Sequence, residues 1–378
     1  MTLKYGFGFD DQPSGDILNA LATNTKIRVA GGTQGSATFN PAAQRFNTGL
    51  GLRFTAQRAG TGPSIGVTET MLLDIRDDVI NQRTIVIGMW VRLNSLQNFN
   101  TLFSFSDVMG DCGLGFQFNA AGRLIVGVNT LIEDVSTVAI SAGDWHFLEF
   151  KTTFAASGGV YTVSAYEVRM DPSSDDPNII LSGTPTVWEL DYADIAMFTA
   201  PEVGDGGLWS FNPTWTGGVY DIDDIYVLNS VGGAPWNDYL GECLIETFLP
   251  DAESSVTGNF TRVGGTGVAD SVGILDGTTW YETDQASDEA IFSSTDTLSS
   301  VPDTIFGVIL SNVVGKDDAG SRTIKGQLLN GSQFDGASVS APAAFTLHQD
   351  IFETDPIGAT TWTKSSVEAT DWGVEVVS

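Results

Sequence analysis

The chain has 378 residues, 42% of them hydrophobic, which is enough for two domains with buried cores. Seventeen Lys and Arg stand against 47 Asp and Glu, a formal net charge of −30 spread along the chain. A surface this negative repels phosphate backbones and anionic lipid, which argues against nucleic-acid binding and against membrane association. No window approaches the ~18 apolar residues of a membrane span, so no membrane insertion is expected. The opening "MTLKYGFGFDDQPSG" lacks the charged and apolar regions of a signal peptide.

With 43 glycines and 13 prolines among abundant Thr, Ser, Val and Phe, the composition predicts short strands and tight turns. "LKYGFGF" opens the series, and "NTGLGLRF" (47–54) alternates Leu50, Leu52 and Phe54 with Gly and Arg, the period of a half-buried strand. "TMLLDIRDDVI" (70–80) is the best helix candidate of the first half. "TIVIGMWVRL" (84–93) is apolar on both sides and predicts a central strand. "TLFSFSD" (101–107) alternates again. "GLGFQFNAAGRLIVGVN" (113–129) predicts a hairpin turning at Gly122, and "DWHFLEFKTTF" with "GGVYTVSAYEVRM" predicts a second around "AASGG". "DPSSDDPN" (171–178) is a polar loop, and "YDIDDIYVLNS" closes the run of strands.

After Asn229 the texture changes. "SVGGAPWNDYLGE" carries Gly-Gly and Pro and suits a linker, and "CLIETFLP" reads as a fresh strand. Further short strands follow at spacings of about ten residues, from "NFTRVG" to "WGVEVV", as in a second sandwich. This gives a first domain over 1–230, a linker over 231–240 and a second domain over 241–378. Cys112 and Cys243, about 130 positions apart, are then expected in different domains, with no disulfide framework.

Three aspartates, Asp221, Asp223 and Asp224, interrupt the closing strand. Strict alternation places Asp224 with Ile222, Tyr226 and Leu228 on one face, and Asp221 and Asp223 on the other with Ile225 and Val227. Calcium takes six to eight oxygens, so three acids split across two faces do not make a site by themselves. Asp221 and Asp223 remain candidates for lending oxygens to a divalent cation such as calcium, completed by a distant loop. No other cofactor is indicated. "WELDYAD" (188–194) places Glu189, Asp191 and Asp194 in a pattern like the paired carboxylates of jelly-roll glycosidases, with a shorter acid at the last position. The histidines are His146 and His348, without a Gly-x-Ser-x-Gly elbow or a cluster of metal ligands, and read as structural. Trp209, Phe211 and Trp215, in a Gly-rich stretch, are candidate anchors for a protein partner or a glycan. "GKDDAGSR" (315–322) reads as a hairpin turn.

The order "RFNTGLGLRF", "IVIGMWVRL", "TLFSFSD", "LGFQFNAAGRLIVG", "DWHFLEFKTTF", "YDIDDIYVLN" resembles the laminin-G-like, concanavalin A-type jelly roll. The later stretches "DDIYVLNS…NDYLGECLIETFLPDAE", "GKDDAGSRTIKGQLLNGSQFDG" and "IFETDPIGATTWTKSSVEATDWGVEV" resemble a segment attached to such domains in structural proteins of tailed bacteriophages. The resemblance implies an all-β chain, an N-terminal jelly-roll sandwich followed by a smaller C-terminal β-sandwich. It implies a non-enzymatic virion structural protein, assembled in the host cytoplasm and tail-associated. The expected partners are other virion proteins, further copies of itself as a homo-oligomer, and a host surface glycan. The alternatives are a capsid decoration protein, and a carbohydrate-binding module or weak glycoside hydrolase on the same fold.

Overall fold

The computed structural model describes residues 3–9, 15–16, 27–30, 35–45, 49–56, 70–74, 81, 83–96, 100–106, 112–128, 131–157, 160–173, 176–185, 195–199, 219–268, 272, 279–299, 302, 304–317, 319–358 and 360–378. The chain divides into two compact units, with the boundary between Ile245 and Glu246.

In chain order the strands of the first unit are β1 (Leu3–Phe7), β2 (Gly15–Asp16), β3 (Ile27–Ala30), β4 (Gly35–Asn40), β5 (Gly51–Ala56), β6 (Thr70–Asp74), β7 (Thr84–Leu93) and β8 (Asn100–Ser106). They continue with β9 (Cys112–Phe118), β10 (Arg123–Val128), β11 (Leu131–Ala139), β12 (Trp145–Ser157), β13 (Val160–Met170), β14 (Ile179–Gly183), β15 (Ile195–Thr199) and β16 (Val219–Asn229). They form two antiparallel sheets. A nine-stranded sheet runs β14-β13-β12-β7-β16-β5-β4-β2, with β1 also paired to β16, and a seven-stranded sheet runs β11-β10-β9-β8-β15-β6-β3.

The core lies between them. Ile85, Ile87, Met89 and Val91 of β7, Leu148, Phe150 and Phe154 of β12, and Tyr220, Ile222, Ile225 and Val227 of β16 face Phe105, Leu114, Phe116 and Val126 of the seven-stranded sheet. Phe116 meets Phe150 edge-on at 4.9 Å between centroids, and Phe105 meets Phe154 at 5.4 Å. Rings in this arrangement stabilise by ~0.5–1.5 kcal/mol per pair beyond the area they bury. The continuous apolar run of β7 has its reason here. It is flanked by β12 and β16 and buried almost throughout. The β9–β10 hairpin closes as expected, with Phe118 opposite Leu124 and Gly122 at φ +72. Its Asn119 side chain accepts from the N–H groups of Ala121 and Arg123.

The second unit is also all-β: β17 (Ala252–Thr257), β18 (Thr261–Val263), β19 (Trp280–Glu282), β20 (Glu289–Ser293), β21 (Val308–Val314), β22 (Thr323–Asn330), β23 (Ser332–Asp335), β24 (Val339–Ser340), β25 (Thr346–Phe352) and β26 (Asp371–Val376). A six-stranded sheet runs β17-β20-β26-β22-β23 with β24 beside β22, and β18-β19 and β21-β25 form two-stranded ribbons. Leu310, Leu328, Phe352 and Trp362 make one core cluster, and Val268, Ala290 and Phe292 another.

Three sequence expectations are corrected. Residues 70–74 of the supposed helix form β6, whose Met71-Leu72-Leu73 run pairs with β3 on one side and β15 on the other; 75–80 lie outside the described residues. "CLIETFLP" is not a strand: Cys243 O accepts from Trp90 Nε1, Ile245 N–H donates to Asp224 and Leu249 N–H donates to Asp296, side chains and not a neighbouring strand. "GKDDAGSR" does not close a hairpin, since β21 pairs with β25 while β22 pairs with β23, β24 and β26.

Candidate functional site

The three aspartates fall where β16 changes neighbours. Residues 219–222 of β16 pair with β5, and residues 225–228 pair with β1. On its other edge β16 follows β7 in register up to Asp223 opposite Trp90, then resumes with Tyr226 opposite Gly88. Asp224 and Ile225 therefore share one partner position, a β-bulge, and Asp224 sits in the left-handed region at φ +50. The bulge breaks the even alternation expected from sequence. Tyr220, Ile222, Ile225 and Val227 all face the core, leaving Asp221, Asp223 and Tyr226 on the opposite face. This corrects the expectation that Ile222 shares a face with Asp224 and Tyr226, and that Ile225 lies beside Asp221.

Asp221 is fully buried, and arginines take up its carboxylate. Oδ1 accepts from Arg53 Nε at 2.7 Å, and Oδ2 from Arg92 Nη2 at 2.6 Å, Arg92 Nε and Arg53 Nη2 at 3.0 Å, and Asn94 Nδ2 at 2.8 Å. The bond to Asp221 raises the Arg53 guanidinium above its ordinary range. Asp223 accepts from the N–H of Arg45 and of Asp224, each at 3.0 Å. Asp224 accepts from Ile245 N–H at 2.9 Å, which holds the strained bulge. Among the described residues no group of three or more His, Cys, Asp or Glu is arranged to hold a metal ion.

The same face is covered by residues 238–245, within the span read as a linker and the start of a second domain. Asp238 pairs with Lys151 at 2.8 Å, and the Arg169 guanidinium stacks 3.5 Å from the Tyr239 ring centroid. Gly241 N–H donates to Glu149 at 2.8 Å, and Trp90 Nε1 donates to Cys243 O at 3.0 Å. Trp90, Phe147 and Tyr226 are buried beneath, outside the sandwich core. Glu149 is wholly buried with them. Its Oε1 accepts from Tyr226 Oη and Gly241 N–H, while Oε2 has no hydrogen-bond partner among the described residues. Burial pushes this carboxyl above its ordinary range, only partly offset by those bonds, and pushes the Cys243 thiol up as well. Cys243 is free and belongs, like Cys112, to the first unit.

At one end of β12 the structure brings together three side chains that sequence reasoning did not connect. His146 Nδ1 lies 2.7 Å from Asp171 Oδ2, and His146 Nε2 lies 3.0 Å from Ser141 Oγ. Asp171 Oδ1 also accepts from Phe147 N–H at 2.7 Å, and Ser141 Oγ donates to Asp144 Oδ2 at 2.7 Å. Ser141 lies on the exposed turn before β12, and Asp171, at φ +44, opens the polar loop after β13. The sequence signal was the pairing of Trp145-His146 with a loop that begins at Asp171, which only the β12–β13 hairpin register makes spatial. His348 instead lies 3.1 Å from Asp350 Oδ2 in the second unit. Glu189, Asp191, Asp194, Trp209, Phe211 and Trp215 lie outside the described residues.

No family model matches the chain, and no curated protein matches it. Solved structures do. A structure of botulinum neurotoxin type C, titled for the dependence of cell entry on two ganglioside molecules, is 10% identical over 98% of this chain and 99% of that one, with a TM-score of 0.36. A carbohydrate esterase from the Shiga toxin-encoding bacteriophage phi24B is 15% identical over 57% of this chain and 99% of its own, with a TM-score of 0.34. A sialidase is 8% identical over 58% of this chain, which spans only 19% of it, with a TM-score of 0.36. Likeness at this level assigns no chemistry to the chain.

Proposed function

We propose that the protein is a virion structural protein of a tailed bacteriophage, placed in the tail, where it assembles with its own copies and neighbouring virion proteins and meets the host surface. The observation that carries this reading is the covered sheet face. Part of a stretch that resembles tailed-phage proteins, "NDYLGECLI", lies on the nine-stranded sheet through Lys151, Glu149, Trp90 and Asp224. Where it lies, the face is filled by the chain's own residues. Glu149 and Asp224 there accept from backbone N–H groups of the stretch itself, as in a structural joint. The anionic composition agrees with a protein that stays soluble at high copy number before assembly. Cryo-electron microscopy and mass spectrometry of purified particles test the reading. The chain is expected at fixed stoichiometry in the tail; finding it in infected-cell cytosol but absent from particles overturns the proposal.

A further inference from the structure

The Ser141, His146 and Asp171 array has the hydrogen-bond order of a nucleophile, a base and an orienting acid, and its protonation can be worked out. A carboxylate only accepts, so the proton between Asp171 Oδ2 and His146 Nδ1, 2.7 Å apart, sits on Nδ1. In the neutral ring Nε2 then carries a lone pair, and it faces Ser141 Oγ at 3.0 Å, within reach for proton removal. Asp171 cannot swing freely, because its second oxygen holds Phe147 N–H at 2.7 Å. The serine is accessible. It is exposed on the turn Ser141-Ala142-Gly143-Asp144, where Gly143 has φ +89 and open space beside its α-carbon. Gly143 N–H is spent on Leu93 O at 2.8 Å. The N–H of Ala142, the residue after the serine, is turned away from β7 by the isolated bridge to Leu93 and has no partner among the described residues. It stands as the donor for a developing oxyanion.

We infer that Ser141, His146 and Asp171 form a hydrolytic centre for neutral short-chain carboxylic esters, an activity beyond the structural role proposed above. Ser141 Oγ attacks the acyl carbon and passes its proton to His146 Nε2. The tetrahedral intermediate collapses, the bond to the alcohol oxygen breaks, and that oxygen takes the proton from Nε2. Water then attacks the acyl-serine, giving its proton to Nε2. The Oγ–carbon bond breaks, the carboxylic acid leaves and the proton returns to Oγ. Ser141 and His146 act on the substrate directly, while Asp171 is a positioning residue that fixes the tautomer. The net charge of −30 disfavours anionic esters, which is why the substrate class is neutral. Asp144, 2.7 Å from Ser141 Oγ, competes with His146 for the single hydroxyl proton. Replacing it by Ala therefore directs that proton to Nε2 and raises the rate.

The experiment uses the full chain with two probes. A fluorophosphonate is expected to leave a mass adduct on the peptide containing Ser141, and p-nitrophenyl acetate is expected to be hydrolysed catalytically. Ser141→Ala and His146→Ala are expected to lower the rate by about 100-fold or more, each with an unchanged circular dichroism spectrum. Asp171→Asn, which still accepts from Phe147 N–H, is expected to lower kcat without raising KM. His348→Ala in the second unit is the control and leaves the rate unchanged. The inference is overturned if the native protein gives no adduct at Ser141, a measurement that requires no variant to fold. It is equally overturned if Ser141→Ala hydrolyses the ester as fast as the wild type.

Discussion

Replacing Asp221 by Ala tests whether the acids of β16 form a structural joint. The carboxylate is fully buried, and Arg53 and Arg92 converge on it with four guanidinium contacts of 2.6–3.0 Å, joined by Asn94. Removing one partner of a buried ion pair typically costs about 3–5 kcal/mol, because the remaining charge is left without compensation. Two features pull the value to the lower end. The arginine side chains are 23% and 20% exposed, so water reaches them, and both also donate to Ala42 O. The expected loss is therefore about 3 kcal/mol, which for a unit of this size lowers Tm by about 6–12 °C. Asp221→Asn should lose nearly as much, since its amide NH₂ faces guanidinium donors. The assay is thermal unfolding followed by circular dichroism at neutral pH. A shift below about 1 kcal/mol would mean that water replaces the carboxylate at no loss, and the joint would then not rest on this ion pair.

Three further outcomes follow from the same geometry. In Gly373→Ala the new Cβ would lie 1.9 Å from Ala290 O, so the β20–β26 pairing must move; calorimetry should show the transition of the second unit lowered and that of the first unmoved, and one joint shift would refute independent units. The Cys243 thiol, half-buried and pushed up by desolvation, should react with iodoacetamide more slowly in the native protein than in the unfolded chain, read by peptide mass spectrometry that separates it from Cys112; equal rates would refute this. Burial raises the Glu149 pKa above its ordinary 4.5, so the folded state holds that proton more tightly than the unfolded chain. Stability is then greatest below the unfolded value and falls as pH rises through the folded one, and Glu149→Gln should flatten Tm against pH over that window; an unchanged slope would remove Glu149 as its source.

Much of the fold was legible in the sequence because local pattern and tertiary pairing agree there. "TIVIGMWVRL" is β7 from Thr84 to Leu93, since a strand paired on both edges and buried on both faces must be apolar throughout. "NAAG" forms the β9–β10 turn because Asn119 and Gly122 supply what the turn needs. The failures have separate causes. Alternation assumes an unbroken register, and the bulge at Asp224 shifts every later residue of β16 to the other face. "CLIETFLP" has strand composition, but composition does not say whether an apolar stretch pairs edge to edge or lies flat on a sheet. Ser141 and Asp171 are 5 and 25 positions from His146, a spacing that belongs to no linear motif.

The charge of the chain also reads differently once the strap over 238–245 is in place. With 17 Lys and Arg against 47 acids, cations are scarce, and the sheet face draws several of them to itself. Arg53 and Arg92 are bound to Asp221, Arg169 to Glu167 and the Tyr239 ring, Arg45 to the Trp90 ring and Asp224, and Lys151 to Asp238. Each of these partners is an acid or an aromatic ring of β7, β13 or β16 or of the strap itself. Asp221 is the counterion of two arginines of the sheet itself, while Arg169 and Lys151 join the strap to the sheet through Tyr239 and Asp238. Each cation spent in this joint is withdrawn together with an acid, so the rest of the chain keeps close to the full net charge of −30. If copies of the chain assemble as proposed, their net charge opposes the contact within a Debye length of about 8 Å at physiological salt, so assembly is expected to strengthen as salt is added.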